Sequence, residues 1–281
     1  MKILYMGTAA AEGWPALFCS CPICTQAREH GGKNLRTRTQ ALLDSSLLID
    51  FPPDTYGHAL RYGLDLGKIH TPLVTHSHMD HWFPADLIHR HEHFGHGADG
   101  VLEVYGSEAV EKAFRDNILI DRFKNHPLDS VVHFHVTHAG DCIQSEGWEI
   151  IAVPADHDKL EECLFYICKK DGKTVLYGHD TGHDTGCDLS REAWELLKRE
   201  KFDLVSLDAT LGMRTIGRYH MGLPEVEMVL QKLAEYGCVD RHTVKVINLF
   251  GHNGKMTHEQ LTAWGAERGI LVSYDGMEVE F

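Results

Sequence analysis

Residues 75–82 read THSHMDHW and crowd four potential metal ligands into six positions: His76, His78, Asp80 and His81. A strand-like apolar run precedes the stretch and a helical pattern follows it. In an extended segment the side chains of His76 and His78 point the same way, so they can bind one cation. Asp80 and His81 follow at a turn and can bind a second, adjacent cation. Imidazole and carboxylate suit zinc, manganese or iron; a solvated histidine loop is the alternative.

Two ligands are too few for one cation, so the motif predicts further ligands downstream. Three segments place one at the end of a strand-like run: His157 in VPADHD, Asp180 in LYGHDTG and His252 in FGHNG. Because strand ends can meet at one edge of a sheet, these side chains can converge on the motif. Asp180 is expected to bridge the two cations. Each residue alone fits a cap or turn, but their recurrence favours a metal site.

The strand and helix patterns predict an α/β fold with helices outside two central sheets. Strand-like runs lie at 3–6, 41–44, 47–51, 73–75, 101–105, 131–136, 149–155, 163–170, 174–178, 204–209, 244–250, 270–275 and 277–281. Helix-like segments lie at 82–94, 107–115, 190–200, 223–236 and 257–268. Asp171-Gly172 predicts a hairpin turn, Pro224 a first helical turn, and Thr257 with Gln260 a capping box.

Composition limits the function classes. Of the 281 residues 43% are apolar and 24% charged, which favours a folded core over disorder. No apolar run is long enough to cross a bilayer, and the first residues resemble a strand more than a signal peptide. A cytoplasmic protein is therefore expected. The formal charge of −14 disfavours binding to nucleic acid or anionic membrane. The expected partner is a small phosphorylated substrate, and a homodimer is left open.

Three of the eight cysteines form the cluster CSCPIC, at Cys19, Cys21 and Cys24. In a cytoplasmic protein of this size a disulfide framework is not expected. Three thiolates at this spacing can surround one tetrahedral zinc, with a fourth ligand from elsewhere, and such a site clamps a loop. A redox-active or merely buried trio is the alternative.

The order of these motifs resembles the metallo-β-lactamase superfamily: HxHxDH, a His after a strand, an Asp in a YxxDTG context and a His near the end. The resemblance spans essentially the whole chain, so residues 1–281 are expected to form one domain. It implies a four-layer αββα sandwich with a dinuclear metal site at the sheet edges. HxHxDH is specific for the superfamily and says little about the substrate.

The opening GTAAAEGWPALFCSCPICTQAREHGG and the ending YDGMEVEF resemble one branch of that superfamily. The branch contains the PhnP cyclic-phosphate phosphodiesterases and protein B of pyrroloquinoline quinone biosynthesis. In it a CxCxxC and a C-terminal histidine hold a structural zinc. The resemblance therefore implies one structural zinc and one or two divalent ions (Zn²⁺, Mn²⁺ or Fe²⁺) in the active site.

The chain departs from the branch near its end, where relatives often read NHFSHNG and this sequence reads NLFGHNG. Matched directly, Leu249 replaces a ligand of the second active-site metal and His252 completes the cysteine site. Alternatively His252 serves the active site, and His258 or another residue completes the cysteine site. The first alternative is preferred because the flanking residues coincide. It predicts that the second ion is weak, exchangeable or different.

Asp80 and His220 are the expected catalytic residues. His220, in GRYHMGLPE, resembles a histidine that contacts the phosphate opposite the metals in phosphodiesterase relatives; a plain helix-start residue is the alternative. Asp50 and Asp208 are expected either to orient ligands or to cap loops. Arg36 and Arg38 are interpreted as surface residues more readily than as phosphate contacts.

The leading functional hypothesis is a metal-dependent hydrolase of a small, for example cyclic, phosphodiester. Water between two divalent cations would lose a proton near neutral pH and attack phosphorus. A lactone, thioester or amide hydrolase of the same fold is one alternative. A metal-binding biosynthetic accessory protein with little hydrolysis is another, and Leu249 motivates it. The acidic chain argues for a small substrate over tRNA.

Overall fold

The structure is a computed structural model that describes residues 1–120, 128–182, 189–215 and 219–281. In chain order the strands are β1 (Lys2–Gly7), β2 (Gln40–Leu43), β3 (Leu47–Ile49), β4 (Thr71–Leu73), β5 (Leu102–Gly106), β6 (Val132–Val136), β7 (Cys142–Ser145), β8 (Trp148–Ala155), β9 (Cys163–Lys170), β10 (Lys173–Gly178), β11 (Leu204–Asp208), β12 (Val244–Asn248), β13 (Leu271–Val272) and β14 (Met277–Glu280). The helices are α1 (Pro22–His30), α2 (Thr55–Tyr62), α3 (Glu108–Ile120), α4 (Arg191–Leu197), α5 (Leu223–Glu235) and α6 (His258–Ala266).

Within the described ranges the strands form two mixed sheets of seven strands each. The first sheet has the order β14-β1-β2-β3-β4-β5-β6, and the second has the order β13-β12-β11-β10-β9-β8-β7. The first and last strands of the chain pair in antiparallel register, Lys2 opposite Glu280. The two ends of the chain therefore lie side by side in the first sheet.

Alternation along the strands creates separate apolar layers. In the hairpin of β2 and β3, Leu43, Leu47 and Ile49 face the second sheet, whereas Leu42 and Leu48 face outward. The outward face of the first sheet is covered by α2 and α3, and that of the second by α1, α4, α5 and α6. The predicted αββα sandwich is confirmed.

Local signals in the sequence correspond to the turns and caps that they predicted. Asp171 and Gly172 have φ of 51° and 74° and join β9 to the antiparallel β10, as a two-residue hairpin requires. The Thr257 hydroxyl accepts from the Gln260 amide N–H at 3.3 Å, while the Gln260 side chain accepts from the Thr257 N–H at 2.8 Å. This capping box begins α6.

Other elements differ from the sequence-based prediction. The helix predicted at 82–94 is only a 3-10 segment, Pro84–Arg90, because few apolar residues follow Pro84 to bury a longer helical face. The strand β7 and the helices α1 and α2 were not predicted. None of the described helices combines the length and apolar character needed to cross a membrane.

The topology gathers the predicted ligands at one edge of the sandwich. Strands β10, β11 and β12 run parallel, so their carboxyl ends meet there. The HxHxDH stretch follows β4 of the other sheet. The two sheets are joined at this edge by a hydrogen bond from the Leu164 N–H to the Thr75 carbonyl, 2.8 Å long. Ligands from both sheets can therefore face one space.

Candidate metal centre

A tight turn presents the HxHxDH side chains. The backbone N–H groups of His81 and Trp82 both donate to the His78 carbonyl, at 2.9 and 2.8 Å. Trp82 is buried and its indole N–H donates to the Val110 carbonyl of α3 at 3.1 Å, which anchors the turn to the first sheet's outer layer. The motif is therefore held rigidly although it lies outside regular secondary structure.

The first half of the centre consists of three imidazoles from two loops. The ring centroids of His76 lie 4.5 Å from His78 and 4.6 Å from His157, and those of His78 and His157 lie 5.0 Å apart. His78 Nδ1 and His157 Nε2 are 3.3 Å apart. One ligand atom from each ring lies within 4.8 Å of the other two. These three nitrogens can bind one cation.

Neighbouring groups fix which nitrogen of each ring faces the centre. The Thr75 hydroxyl contacts His76 Nδ1 at 3.0 Å, and His157 Nδ1 donates to the carbonyl of Tyr219 at 2.9 Å. His78 is turned the other way, since its Nε2 lies 3.1 Å from Asp158 Oδ2. The nitrogens left for a metal are thus Nε2 of His76, Nε2 of His157 and Nδ1 of His78.

The second half of the centre is buried and carboxylate-rich. His81 Nε2 lies 3.3 Å from Asp80 Oδ2 and 2.9 Å from Asp180 Oδ2. On its other side His81 Nδ1 contacts Asp50 Oδ2 at 2.7 Å. Asp50 also accepts from the N–H and hydroxyl of Thr75, both at 2.9 Å. Asp50 therefore orients a ligand, the first of the two roles predicted for it.

Asp180 lies between the two halves. Its Oδ2 faces His81, and its Oδ1 lies 3.8 Å from His157 Nε2. Burial opposes ionisation of Asp180, but the facing imidazoles of His81 and His157 outweigh burial and hold its pKa well below the usual range. Asp180 is therefore a carboxylate that faces both halves of the centre, and its bridging of two cations stays a prediction.

The residues fit a metal-binding role by their own chemistry. Three buried polar atoms of the centre make no hydrogen bond of good geometry: His76 Nε2, and the facing pair His81 Nε2 and Asp180 Oδ2, which are 2.9 Å apart. Unpaired buried polar atoms are costly, and a cation is the group that satisfies all three. Burial also lowers the pKa of His76 well below its usual value, so this ring is in the neutral form that binds metals.

His220 faces the centre from the loop before α5. Its Nδ1 lies 3.0 Å from Asp208 Oδ2 and 3.4 Å from Asp180 Oδ1. Burial lowers the pKa of His220, but the Asp208 carboxylate outweighs burial and raises it to about 9. Asp208 is itself buried and accepts from the Thr210 N–H at 2.8 Å. The His220 ring lies beside His157, with centroids 4.9 Å apart, and His157, Asp180 and His220 together could also hold an ion; the predicted catalytic role of His220 stays a prediction.

The cysteine cluster forms a second, separate centre. His252 Nδ1 lies 3.5 Å from Sγ of both Cys19 and Cys21, and ligand atoms of these residues and Cys24 lie within 4.8 Å of one another. The hydrogen bond with His252 lowers the pKa of the Cys21 thiol to about 6, which favours the thiolate that binds metals. His252 Nε2 lies 3.4 Å from Glu12, so a carboxylate orients this ring too.

The structure thus separates the two alternatives for His252. His252 lies beside the cysteines, whereas His258 Nδ1 contacts the guanidinium of Arg36 at 3.0 Å. Leu249 follows β12 at the same sheet edge as Asp180, is fully buried and has φ of 61°. The second half of the centre therefore offers Asp80, His81 and Asp180 as ligands, and the next position in the pattern holds an aliphatic residue.

Several contacts were not predicted from the sequence. Asp158 and Tyr219 each hold an imidazole, and Glu12 holds His252. The one signal in the sequence that could have indicated such a role is that Asp158 directly follows the predicted ligand His157. Arg36 is fully buried, so its predicted surface role was wrong: its guanidinium donates to the Thr8 hydroxyl and the Ser273 carbonyl, both at 2.7 Å.

The histidine-rich segment 89–96 takes no part in either centre. Among the described residues, none of its histidines belongs to a group of potential metal ligands. His89 and His96 line a cavity of about 310 Å³ on the outer side of the first sheet, with Leu48 and Phe51 among the other lining residues. The segment is largely exposed.

The four-layer sandwich and its histidine–aspartate centre define a protein of the metallo-β-lactamase type. Residues 46–242, more than half of the chain, match the family described as beta-lactamase superfamily domain. The chain belongs to this superfamily.

Three relatives show the breadth of the similarity. Coenzyme PQQ synthesis protein B from Methylobacterium radiotolerans is 34% identical over 159 residues, which cover 48% of this chain and 52% of that protein. The match thus spans about half the length of this curated relative. A diphosphatase from the PhnP family superposes with a TM-score of 0.71 at 23% identity, covering 100% of this chain and 97% of the other. Zinc-bound PqqB from Methylobacterium extorquens superposes with a TM-score of 0.73 at 17% identity, with 100% of both chains covered.

Proposed function

We propose that this protein is a metal-dependent hydrolase that cleaves a small phosphodiester, with residues 1–281 acting as one domain. The observation that carries the proposal is the convergence of His76 Nε2, His78 Nδ1 and His157 Nε2 next to Asp180, whose Oδ1 also faces His220. Divalent ions of zinc, manganese or iron, when bound there, would supply Lewis acidity and lower the pKa of bound water. The similarity to a PhnP-family diphosphatase supports phosphorus chemistry.

In this proposal the chain's own side chains orient the metal ligands and stabilise negative charge on the substrate. Asp208 holds His220 Nδ1 and leaves Nε2 for the substrate, where it donates to a phosphate oxygen or gives a proton to the departing oxygen. Asp50 and Asp158 hold the ligands His81 and His78 in position. Asp80 completes the second half of the centre, next to His81 Nε2.

Replacement of His220 tests the catalytic step. We expect His220→Ala to lower kcat on a 2′,3′-cyclic nucleotide on the order of 100-fold, because the alkoxide leaving group needs a proton and general acids contribute at least that much. Metal content should stay at the wild-type level, since the three imidazoles of the first half are untouched. Steady-state kinetics and elemental analysis of the same preparations check both parts. Wild-type turnover of lactones, thioesters or amides with none of phosphodiesters would contradict the phosphodiester proposal in favour of carbonyl hydrolysis.

Replacement of Asp158 tests how His78 is oriented. We expect Asp158→Asn to weaken binding of the first ion about tenfold, because a carboxylate next to a ligand raises its basicity and fixes its ring. Competition against a chelator measures the affinity without any substrate. Glu161→Gln is the matched control, since Glu161 accepts from the Ser77 N–H and hydroxyl and makes no hydrogen bond to His78. Equal affinities for the two variants would remove Asp158 from this role.

A second candidate is a metal-binding accessory protein in a biosynthetic pathway, with little hydrolysis. Leu249 favours it, because the second half of the centre has His81 but lacks the further imidazole that the pattern of the relatives has at position 249, and so does the partial similarity to PQQ synthesis protein B. A fully metal-loaded protein that cleaves no phosphodiester, lactone or thioester would support this candidate. Phosphodiester turnover that disappears in His78→Ala would exclude it.

A further inference from the structure

The open side of the first half of the centre is bordered by apolar side chains. Three large residues stand there exposed to solvent: Met79 is 75% exposed, Leu160 is 94% exposed and Tyr219 is 41% exposed. Together they are named the apolar rim. They belong to three different loops.

Short backbone links connect two of them to His78. Met79 follows His78 directly, inside the turn closed by the hydrogen bond from the His81 N–H to the His78 carbonyl. The Leu160 N–H donates to Asp158 Oδ1 at 2.9 Å, while Asp158 Oδ2 lies 3.1 Å from His78 Nε2. One carboxylate therefore holds both Leu160 and the imidazole in place.

Tyr219 borders the other imidazole. Its carbonyl accepts from His157 Nδ1 at 2.9 Å, and its ring stands at 88° to the His157 ring with centroids 6.4 Å apart. Its φ of 65° lies in the left-handed region, which is strained for a bulky residue and persists at functional sites. Because the rings of His78 and His157 are 5.0 Å apart, the backbones of all three rim residues lie close to the same pair of imidazoles.

The charge beside this opening selects the kind of ligand. Ligand atoms of His78, Asp158 and Glu161 lie within 4.8 Å of one another, so two carboxylates stand next to the rim. They offset part of the positive charge that bound divalent ions would bring, which favours a singly charged substrate over one with several negative charges. Exposed apolar side chains around a few convergent polar groups are instead typical of a site for a partly apolar ligand.

We propose that the substrate is a singly charged phosphodiester with an aryl or alkyl ester group that packs on the apolar rim. This inference rests on the proposed function, because it assigns the part of the substrate that is not cleaved. In an apolar pocket each added carbon group changes discrimination by roughly 10- to 200-fold. We therefore expect at least a tenfold preference for a phenyl over a methyl ester.

Two substrates with the same leaving group test the rim: p-nitrophenyl phenyl phosphate and methyl p-nitrophenyl phosphate. The ratio of their kcat/KM values should favour phenyl about tenfold or more in the wild type and fall toward one in the double variant Met79→Gln/Leu160→Asn. Leu60→Asn is the matched control, because Leu60 is a 68% exposed leucine of α2 that borders no ligand of the centre. This control should keep the wild-type ratio.

A binding measurement separates the rim from the reaction. Diphenylphosphinate and dimethylphosphinate are singly charged and are not hydrolysed, so calorimetry with the metal-loaded protein compares their affinities directly. Tighter diphenylphosphinate binding that the double variant loses, without turnover of any phosphodiester, would keep the rim and overturn the proposed function. If phenyl and methyl compounds gave equal kcat/KM values and equal affinities, the proposed role of the apolar rim would be wrong. It would also be wrong if the double variant kept the preference for phenyl.

Discussion

Purified Cys21→Ser protein is expected to contain one zinc fewer per chain than the wild type and to unfold about 10 °C lower. Serine is a poor ligand for zinc, and the remaining three residues of the cluster leave an open and weaker site. Loss of a metal site is one of the few single changes that lowers the free energy of unfolding by about 4 kcal/mol or more. At roughly 2–4 °C per kcal/mol for a chain of this size, the shift in Tm follows.

The site acts on stability because it connects distant loops. The Ala10 N–H donates to the Phe250 carbonyl at 3.1 Å, and the Phe250 N–H donates to the Thr8 carbonyl at 2.9 Å. Gly212 packs so closely on Gly254 that a Cβ there would lie 2.4 Å from the Gly254 carbonyl. Loss of the zinc should therefore loosen the loop before α5, which carries His220, as well as the N-terminal loop.

Elemental analysis and thermal unfolding of paired preparations check this prediction. Cys142→Ser is the control, because Cys142 is an exposed free cysteine outside the cluster. The wild type should hold about two firmly bound ions per chain, one on the cysteines and one on the three imidazoles. Unchanged zinc content in Cys21→Ser would mean that the cluster is not a metal site. Three firmly bound ions in the wild type would mean that the second half of the centre is complete despite Leu249.

The parts of the fold that could be predicted from the sequence are those with strong local patterns. The continuous apolar runs of β2, β3 and β9 marked buried strands, and the hairpin and capping box had their typical residues. Strand β7 reads CIQS and carries one buried apolar residue, too weak a pattern to detect. Helix α1 had usable signals, Pro22 at its start and Gly31 at its end, but its first residues overlap the cysteine cluster, whose spacing indicates a metal-binding loop.

The residues of the candidate site also fall into those that the sequence could predict and those that it could not. The ligands could be predicted because each lies where a strand ends, and strand ends were readable. Among the groups that orient them, Asp50 and Asp208 were expected from the sequence but Tyr219 was not, because its partner is far away in the chain: Tyr219 holds His157 from 62 residues away. Arg36 was misplaced for the same reason, since it is paired with Ser273 across 237 residues. A sequence pattern can predict which side of a strand is buried, but it does not predict which polar atom from a distant part of the chain will bind a buried side chain.

The second large effect is expected from Leu249→His, which should strengthen binding of the second active-site ion on the order of 1000-fold. A residue that merely orients a ligand contributes 10- to 100-fold in affinity, so a new imidazole ligand should contribute more. Leu249 follows Asn248, which pairs with Asp208 at the end of the parallel strand β11. Strand β11 in turn pairs with β10, which leads to Asp180. The substituted imidazole therefore lies at the edge where Asp80, His81 and Asp180 meet.

The backbone at this position suits the change. Leu249 has φ of 61°, a conformation that is strained for leucine and several-fold more frequent for histidine. Its carbonyl accepts from the Thr210 hydroxyl at 2.7 Å, so the loop is held in this conformation without help from the side chain. The substitution should therefore leave the fold unchanged, with a Tm within a few degrees of the wild type.

Titration of metal-free Leu249→His and wild type against a chelator measures the second ion directly. Leu249→Asn is the control, because asparagine also tolerates this backbone conformation and offers no imidazole. If the second ion assists hydrolysis, kcat on the phosphodiester should rise in Leu249→His alone, since two ions would then share the charge on the phosphate. Tighter binding without faster turnover would show that the natural reaction uses one ion. No change in affinity would show that residue 249 does not face the second half of the centre, and the direct match of NLFGHNG to NHFSHNG would then be wrong.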